Sequence, residues 1–262
     1  MKLSVRKIGL LIHLWHERAY TFWKVRETGV RFHSPLDYDE RVFFLELWPV
    51  LADDNLVVYD IGAASGKVSC CLAKLPNVTA IHAFEPNPEV FVKLAERMRP
   101  YPHMQCHNVA LSDDAGIMTM HISRSTDSSS LLPMAELHRT EFPGTDISHQ
   151  VQVRVVRLDD YVSQVSLPQP HLVKIDVQGY EDRVLRGGED TLRQAKYCVL
   201  EMSLQPLYEG SPLVDDIYQQ MRAMGFRLIG FAGDLKGRSG QQLQVDGIFE
   251  NERVYGNALP NP

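Results

Sequence analysis

Four carboxylates in this chain stand where chemistry is commonly done. Asp60, Glu85, Asp176 and Glu201 each close an apolar run rich in β-branched or aromatic residues. Such runs read as buried strands, and in an open α/β sheet the carboxyl ends of the strands face the crevice where ligands bind. One acid of this kind means little; four in one chain are the strongest functional signal it carries. Carboxylates so placed can accept hydrogen bonds from hydroxyl or ammonium groups, act as general bases, or offer oxygens to a divalent cation.

The first acid opens Asp60-Ile61-Gly62-Ala63-Ala64-Ser65-Gly66, directly after Val57-Val58-Tyr59. Small residues between two glycines let backbone approach a ligand closely. Residues 67–75 can form a helix, so strand, glycine turn and helix succeed one another as at a cofactor crevice. A phosphate-cradling P-loop needs four residues between its glycines, then Lys and Ser or Thr. Three residues separate Gly62 from Gly66, and Val68 follows Lys67, so that pattern fails. The dinucleotide fingerprint wants a small residue at its sixth place, which Lys67 occupies; nicotinamide is disfavoured and stays an alternative. Glu85 ends the next apolar run, roughly 20 residues past the turn, placed to accept both ribose hydroxyls. With Asp60 meeting an ammonium, the pair suits S-adenosyl-L-methionine, which has both groups and no phosphate. The plain alternative is that both acids are solvated strand ends.

The 262 residues allow one large domain or two small ones, with a sizeable core. A net charge of -6 gives no support for a general nucleic-acid surface, and no nucleic-acid partner is expected. The four cysteines, two of them adjacent (Cys70, Cys71), form no metal or redox spacing. They read as small buried residues of a reducing compartment, so the expected location is cytoplasmic.

Elements that must position the acids follow from periodicity. Over residues 3–25, Ile8, Leu11, Trp15, Ala19 and Phe22 share a helix face, while Lys2, Arg6, Lys7, Arg18 and Lys24 make the segment basic. Its apolar run 8–15 is too short to span a bilayer, and Glu17 and Arg18 follow with no cleavage site. It is expected to pack on the main domain or on a second subunit, or to lie on anionic lipid. His13 and His16 read as solvated, and 38–48 as a short helix ended by Pro49. Beyond the glycine turn, a helix over 88–99 starts at Pro88, and strands follow at 104–111, 117–123 and 151–158, the last two an antiparallel pair. Between that pair, 124–150 is a substrate-side lid or a tolerated insertion. The pattern continues with strand 171–176, a helix 182–194 interrupted near Gly187-Gly188, strand 197–200, helix 213–224, and strands 225–231 and 242–249. The link 233–240 is too short for a helical crossover, so the last two strands should be antiparallel. His103 and His107 have ligand spacing only on a helix; in a strand they lie roughly 13 Å apart, and no metal pair is expected. Ala110-Leu111-Ser112 close the third strand, where an adenine ring would lie.

Five blocks carry a family resemblance. Asp60-Ile61-Gly62-Ala63-Ala64-Ser65-Gly66, Phe84-Glu85-Pro86-Asn87-Pro88, Asn108-Val109-Ala110-Leu111-Ser112-Asp113, Leu158-Asp159 and Lys174-Ile175-Asp176-Val177-Gln178-Gly179-Tyr180-Glu181 recur in this order in FkbM-type methyltransferases. The chain resembles that family over about residues 56–250. The resemblance implies an α/β, Rossmann-like class I methyltransferase fold: a seven-stranded mixed sheet, last strand antiparallel, helices on both faces. Residues 1–50 would be an N-terminal helical extension, 51–255 the methyltransferase domain and 256–262 a frayed tail. It also implies S-adenosylmethionine as donor and a hydroxyl acceptor on a sugar, glycolipid, other glycan or secondary metabolite. Gly62, Ala63, Ala64, Ser65 and Gly66 would then serve the methionyl end, Glu85 and Pro86 the ribose, and Ala110, Leu111 and Ser112 the adenine. Asp60 would support the loop or the amino group. Asp176 is the first candidate for the acceptor's base or for a divalent-cation ligand at the cofactor's edge, and Glu201 the second; Lys174 reads as an ion-pair partner. Many relatives have Asn where this chain has Ala64 and Glu where it has Gln178, which removes one expected contact and one candidate base. The alternatives are a nicotinamide- or nucleotide-sugar-binding enzyme, and a non-catalytic protein that meets a partner on the same fold.

Overall fold

The computed structural model describes residues 20–32, 44–47, 50–51 and 55–255. Its strands are β1 (Leu56–Ile61), β2 (Val78–Phe84), β3 (Met104–His107), β4 (Ala110–Leu111), β5 (Gly116–Ser123), β6 (Ile147–Val156), β7 (Leu172–Ile175), β8 (Tyr197–Ser203), β9 (Phe226–Lys236) and β10 (Gln242–Asn251). Seven of them form one sheet in the order β3-β2-β1-β7-β8-β10-β9. β1, β2, β3, β7 and β8 run parallel, while β10 is antiparallel to both β8 and β9. This is the expected class I arrangement, with the last strand inserted beside β8.

Strand periodicity distributes the core over both faces. Tyr59 and Ile61 of β1 pack with Val173, Ile175 and the helices Leu158–Val165, Glu181–Gly187 and Val214–Met224. Leu56 and Val58 point the other way, towards Cys71 and Leu72 of the helix Lys67–Ala73 and towards Phe44 and Leu47. A sheet covered on both faces needs apolar residues at nearly every position of its central strands, which the run at β1 supplies. Val25, Phe44, Leu47, Val50 and Leu51 belong to this same core, so residues on both sides of position 50 are packed together. The helix expected over 3–25 is described only from residue 20, and 20–27 are helical. Residues 3–19 with His13 and His16, most of the 38–48 helix and the 256–262 tail lie outside the described residues. Among the described residues, no helix is long and apolar enough to cross a membrane.

The expected third strand is two. β3 stops at His107, and the Asn108 side-chain amide donates to the Glu85 and Pro86 carbonyls at 2.8 and 3.1 Å, which diverts the chain. Ala110 and Leu111 then pair in parallel with β6 in a second sheet, β4-β6-β5. β5 and β6 are antiparallel as expected, but β6 begins at Ile147 and so takes residues from the 124–150 segment. The remainder holds a turn of 3₁₀ helix, Thr126–Ser128, and the helix Glu136–Glu141. β8 is longer than expected because β10 pairs with it as far as Ser203. The helix Leu158–Val165 was not foreseen; its Leu158 and Val162 are spaced to face the core.

Candidate active site

The tips of β1, β2 and β7 meet around a cavity of about 1020 Å³, part of it open to solvent. Gly62 and Gly66 both have left-handed backbone, with φ of 82° and 79°. Their lack of a side chain serves the protein itself. A Cβ on Gly62 would stand 1.8 Å from the Asp176 carbonyl oxygen, and one on Gly66 would stand 2.6 Å from Leu94 Cδ1. Gly66 thus packs against the helix Pro88–Met98, outside the cavity wall, whereas Gly62, Ala63, Ala64 and Ser65 line it. The N–H groups of Gly62 and Ala63 both donate to the Phe84 carbonyl, at 3.0 and 2.9 Å. Those of Ala64 and Gly66 donate to Glu85 Oε2 and the Ala63 carbonyl, at 3.0 and 2.8 Å. At these four positions the turn therefore has only carbonyl oxygens and small side chains left for a ligand.

Glu85 follows β2 and is 5% exposed. Its Oε2 accepts from Ala64 and its Oε1 from the Asn87 N–H at 2.8 Å. A carboxylate offers about four lone-pair sites, so roughly two remain for a ligand diol. Burial pushes the Glu85 pKa up to about 7, against the pull of the two N–H donors. Asp60 is 1% exposed and penultimate in β1. Its Oδ2 accepts from the Ser69 hydroxyl at 2.5 Å, while its Oδ1 is buried without a partner. An orphaned acceptor on a cavity wall calls for a donor from the ligand. Val109, Ala110 and Leu111 make an apolar wall, and Pro86 stands beside Glu85. Ser112 does not reach the cavity; its hydroxyl lies 3.3 Å from that of Tyr180 and donates to Asp113 at 3.2 Å. Segment 126–131 covers the cavity, and Ser130 donates to the Gln178 carbonyl at 2.7 Å. A diol acceptor, an apolar slot and an unpaired carboxyl oxygen together fit S-adenosylmethionine.

A second constellation joins β7, β8 and β10. Lys174, 7% exposed, donates to Asp176 Oδ2 at 2.9 Å. The Gln178 amide donates to Asp176 Oδ1 at 2.8 Å and to Glu201 Oε2 at 3.0 Å, and accepts from the Tyr208 hydroxyl at 2.7 Å. Burial alone would raise the Asp176 pKa; the Lys174 ammonium and these donors outweigh it and hold the carboxyl below its usual range. Glu201 is not at the end of its strand but two residues inside it, directly across the ladder from Asp246. Burial, then the negative charges of Asp176, Glu181 and Asp246, push its pKa well up. Burial likewise raises Asp246 to about 6, with Lys174 opposing. Glu201 and Asp246 do not line the cofactor cavity. They line a second one of about 470 Å³ with Asp234 and Gln244, and Asp176 borders both. Lys174 is an ion-pair partner, as expected. Gln178, Tyr208 and Asp246 were missed as site residues; Asp246 could have been found, since it interrupts an apolar strand with a charge. A divalent cation does not fit at Asp176, because the Lys174 ammonium 2.9 Å from its Oδ2 already supplies the positive charge and would repel a second cation. Among the described residues, no three His, Cys, Asp or Glu side chains converge as a metal set.

Glu181 holds the turn that carries Gln178. Its Oε1 accepts from the Val177 and Gly179 N–H groups, both at 3.1 Å, across left-handed backbone at Gln178 and Gly179. Burial raises its pKa from 4.5 to about 7, so the folded protein binds this proton more tightly than the unfolded chain. The associated stability is complete below pH 4.5 and is lost as pH rises through about 7. Glu181→Gln keeps an acceptor oxygen but cannot ionise. The drop in stability between pH 5 and 8 should shrink by up to about 3 kcal/mol. Chemical denaturation at the two pH values reads it, and an unchanged drop would contradict the assignment.

The sheet order and the carboxylate-lined crevice define a class I methyltransferase. The Methyltransferase FkbM domain family matches residues 60–228. The chain belongs to the FkbM methyltransferase family, and is an S-adenosylmethionine-dependent methyltransferase. It is 31% identical over 167 residues to the 2-O-methyltransferase NoeI of Sinorhizobium fredii, covering 62% of this chain and 69% of that one. It is 27% identical over 154 residues to the hexuronic acid methyltransferase AglP of Haloferax volcanii, covering 58% and 57%. The 31-O-demethyl-FK506 methyltransferase FkbM of Streptomyces tacrolimicus is 29% identical over 198 residues, covering 66% and 73%. Among solved structures, the magnesium protoporphyrin IX methyltransferase ChlM of Synechocystis PCC 6803 gives a TM-score of 0.47 at 12% identity, over 80% of this chain and 77% of that one. Family membership decides against the nicotinamide alternative. Ala64 and Gln178 both have left-handed backbone, with φ of 47° and 57°.

Proposed function

We propose that the protein methylates a hydroxyl oxygen of a sugar or secondary metabolite, with the acceptor entering the second cavity. The observation that carries this reading is that Asp176 borders both cavities, so that donor and acceptor meet across it. The names of the relatives, a 2-O-methyltransferase, a hexuronic acid methyltransferase and a 31-O-demethyl-FK506 methyltransferase, support an oxygen acceptor. Four free cysteines accord with a cytoplasmic setting.

Bound S-adenosylmethionine supplies a methyl group activated on a sulfonium and departs as the neutral thioether. Glu85 would accept from the ribose hydroxyls, Ala110 and Leu111 would flank the adenine, and Asp60 Oδ1 would accept from the ammonium. Lys67, at the rim and paired with Asp127 at 3.6 Å in solvent, would be the cation available to the methionyl carboxylate. The remaining task is to orient the acceptor oxygen and remove its proton. Asp176 is a weak base because the Lys174 ammonium and the Gln178 amide, outweighing burial, hold its carboxyl below the usual range. Glu201 takes the proton. Burial first, then the negative charges of Asp176, Glu181 and its ladder partner Asp246, raise its affinity for a proton.

Two variants test these roles. Glu201→Gln should lower kcat by about 10²–10⁴-fold and leave S-adenosylmethionine affinity unchanged. Asp246→Asn removes a like charge, lowers the Glu201 pKa, and should move the rising limb of kcat against pH to lower pH. The assay is transfer of a labelled methyl group to a panel of glycosides and complex alcohols. Label appearing only on carboxyl or amine acceptors would overturn the reading.

A further inference from the structure

The helical residues 20–27 turn an aromatic surface outward. Tyr20 is 54%, Phe22 48% and Trp23 54% exposed. On the other side of the same turns, Thr21 and Val25 are buried, and Val25 packs into the core cluster with Phe44 and Leu47. The helix is thus anchored to the domain while presenting three large rings within four residues. The basic side chains lie among those rings. Lys24 Nζ is 5.2 Å from the Trp23 ring centre and 5.8 Å from that of Tyr20, and the Arg26 guanidinium is 5.9 Å from that of Phe22. Charge along the chain is segregated in the same sense. Residues 1–32 hold seven Lys and Arg against two Glu, although the whole chain carries -6.

We infer that this face is a peripheral docking surface for an anionic lipid bilayer. Tyr and Trp rings are amphipathic and settle at headgroup depth. Arg26, and Lys24 although it is paired with Glu27 at 3.0 Å, stand beside them to meet the negative surface potential of anionic lipid within a Debye length. Such a helix lies on the bilayer and does not cross it. A second copy of this chain fits less well. Two-fold pairing would set Lys24 and Arg26 against their own counterparts. The anchor also reaches the acceptor side. Glu46, on the turn of Phe44 and Leu47, takes a hydrogen bond from the backbone of Gly233, which lines the second cavity.

Co-sedimentation of the full chain with lipid vesicles tests the inference. With phosphatidylcholine containing about one-third phosphatidylglycerol, the protein should pellet with the lipid. On phosphatidylcholine alone, or in high salt, partitioning should fall at least about tenfold. The double variant Tyr20→Ser, Trp23→Ser should lose at least about tenfold on the anionic vesicles, with S-adenosylmethionine affinity unchanged as proof of folding. Should that variant fail to fold, Lys24→Glu with Arg26→Glu must produce the same loss while leaving both rings in place. Wild-type protein that stays in the supernatant would overturn the inference, as would variants that bind lipid like the wild type. So would a wild-type dimer in sedimentation velocity that the double variant splits.

Discussion

Glu85→Ala is expected to weaken S-adenosylmethionine binding by at least about 100-fold, from the loss of two charge-assisted hydrogen bonds and the free lone pairs beside them. The carboxylate does two things at once. It ties the glycine turn to β2 through the Ala64 and Asn87 N–H groups, and it keeps acceptor capacity for a ribose. Alanine removes both, so the turn loosens where the ligand needs it rigid. The same group gives binding a pH dependence. Ribose hydroxyls donate to the ionised form, and the free protein's Glu85 has a pKa of about 7, so affinity should fall as pH drops from 8 to 6. Calorimetry on wild type and variant reads both effects. Equal affinity in the variant would remove Glu85 from the site.

Lys174→Met is expected to destabilise the protein by about 3–5 kcal/mol near neutral pH, as breaking a buried charge network does. Lys174 sits opposite Asp60 in the β1–β7 ladder and raises its own affinity for a proton through Asp176, Asp60 and Asp246. Without it, three carboxylates would share one edge of the sheet with no buried cation between them. They can relieve the repulsion by taking up protons, so the loss should shrink as pH falls from 7.5 to 5. Urea unfolding at both values checks this. A variant as stable as wild type at pH 7.5 would show that the ammonium does not hold the acids together. Turnover should fall as well, since Asp176, which borders both cavities, would lose the ammonium that together with Gln178 holds it ionised.

Much of the fold was legible because β1, β2, β7 and β8 are each a short apolar run with an acid at or near its end. The glycine turn and Glu85 were legible for the same reason: their chemistry is local, set by spacing along one βαβ unit. What escaped was set by pairing between distant segments. β8 looked as if it ended at Leu200, and only the antiparallel partner β10 carries the ladder past Glu201, which moves that acid inside the strand and beside Asp246. Ala110 and Leu111 continue an apolar pattern from β3, yet Asn108 diverts them to a different sheet. Gly66 looked like part of a ligand loop, whereas its neighbour is Leu94, twenty-eight positions away. Leu158 closed an alternating run and was read as strand, but its side chain begins a helical stripe with Val162. Ser112 has the right place in sequence for a site residue and the wrong direction, towards Tyr180.

A crystal structure grown with S-adenosylhomocysteine tests the central claim most directly. The account predicts the nucleoside in the cavity between the 62–65 turn and segment 126–131, its ribose hydroxyls on Glu85 and its adenine against Ala110 and Leu111, with the sulfur towards Asp176. Nucleoside density anywhere else, or a Glu85 carboxylate still bonded only to Ala64 and Asn87, would contradict it.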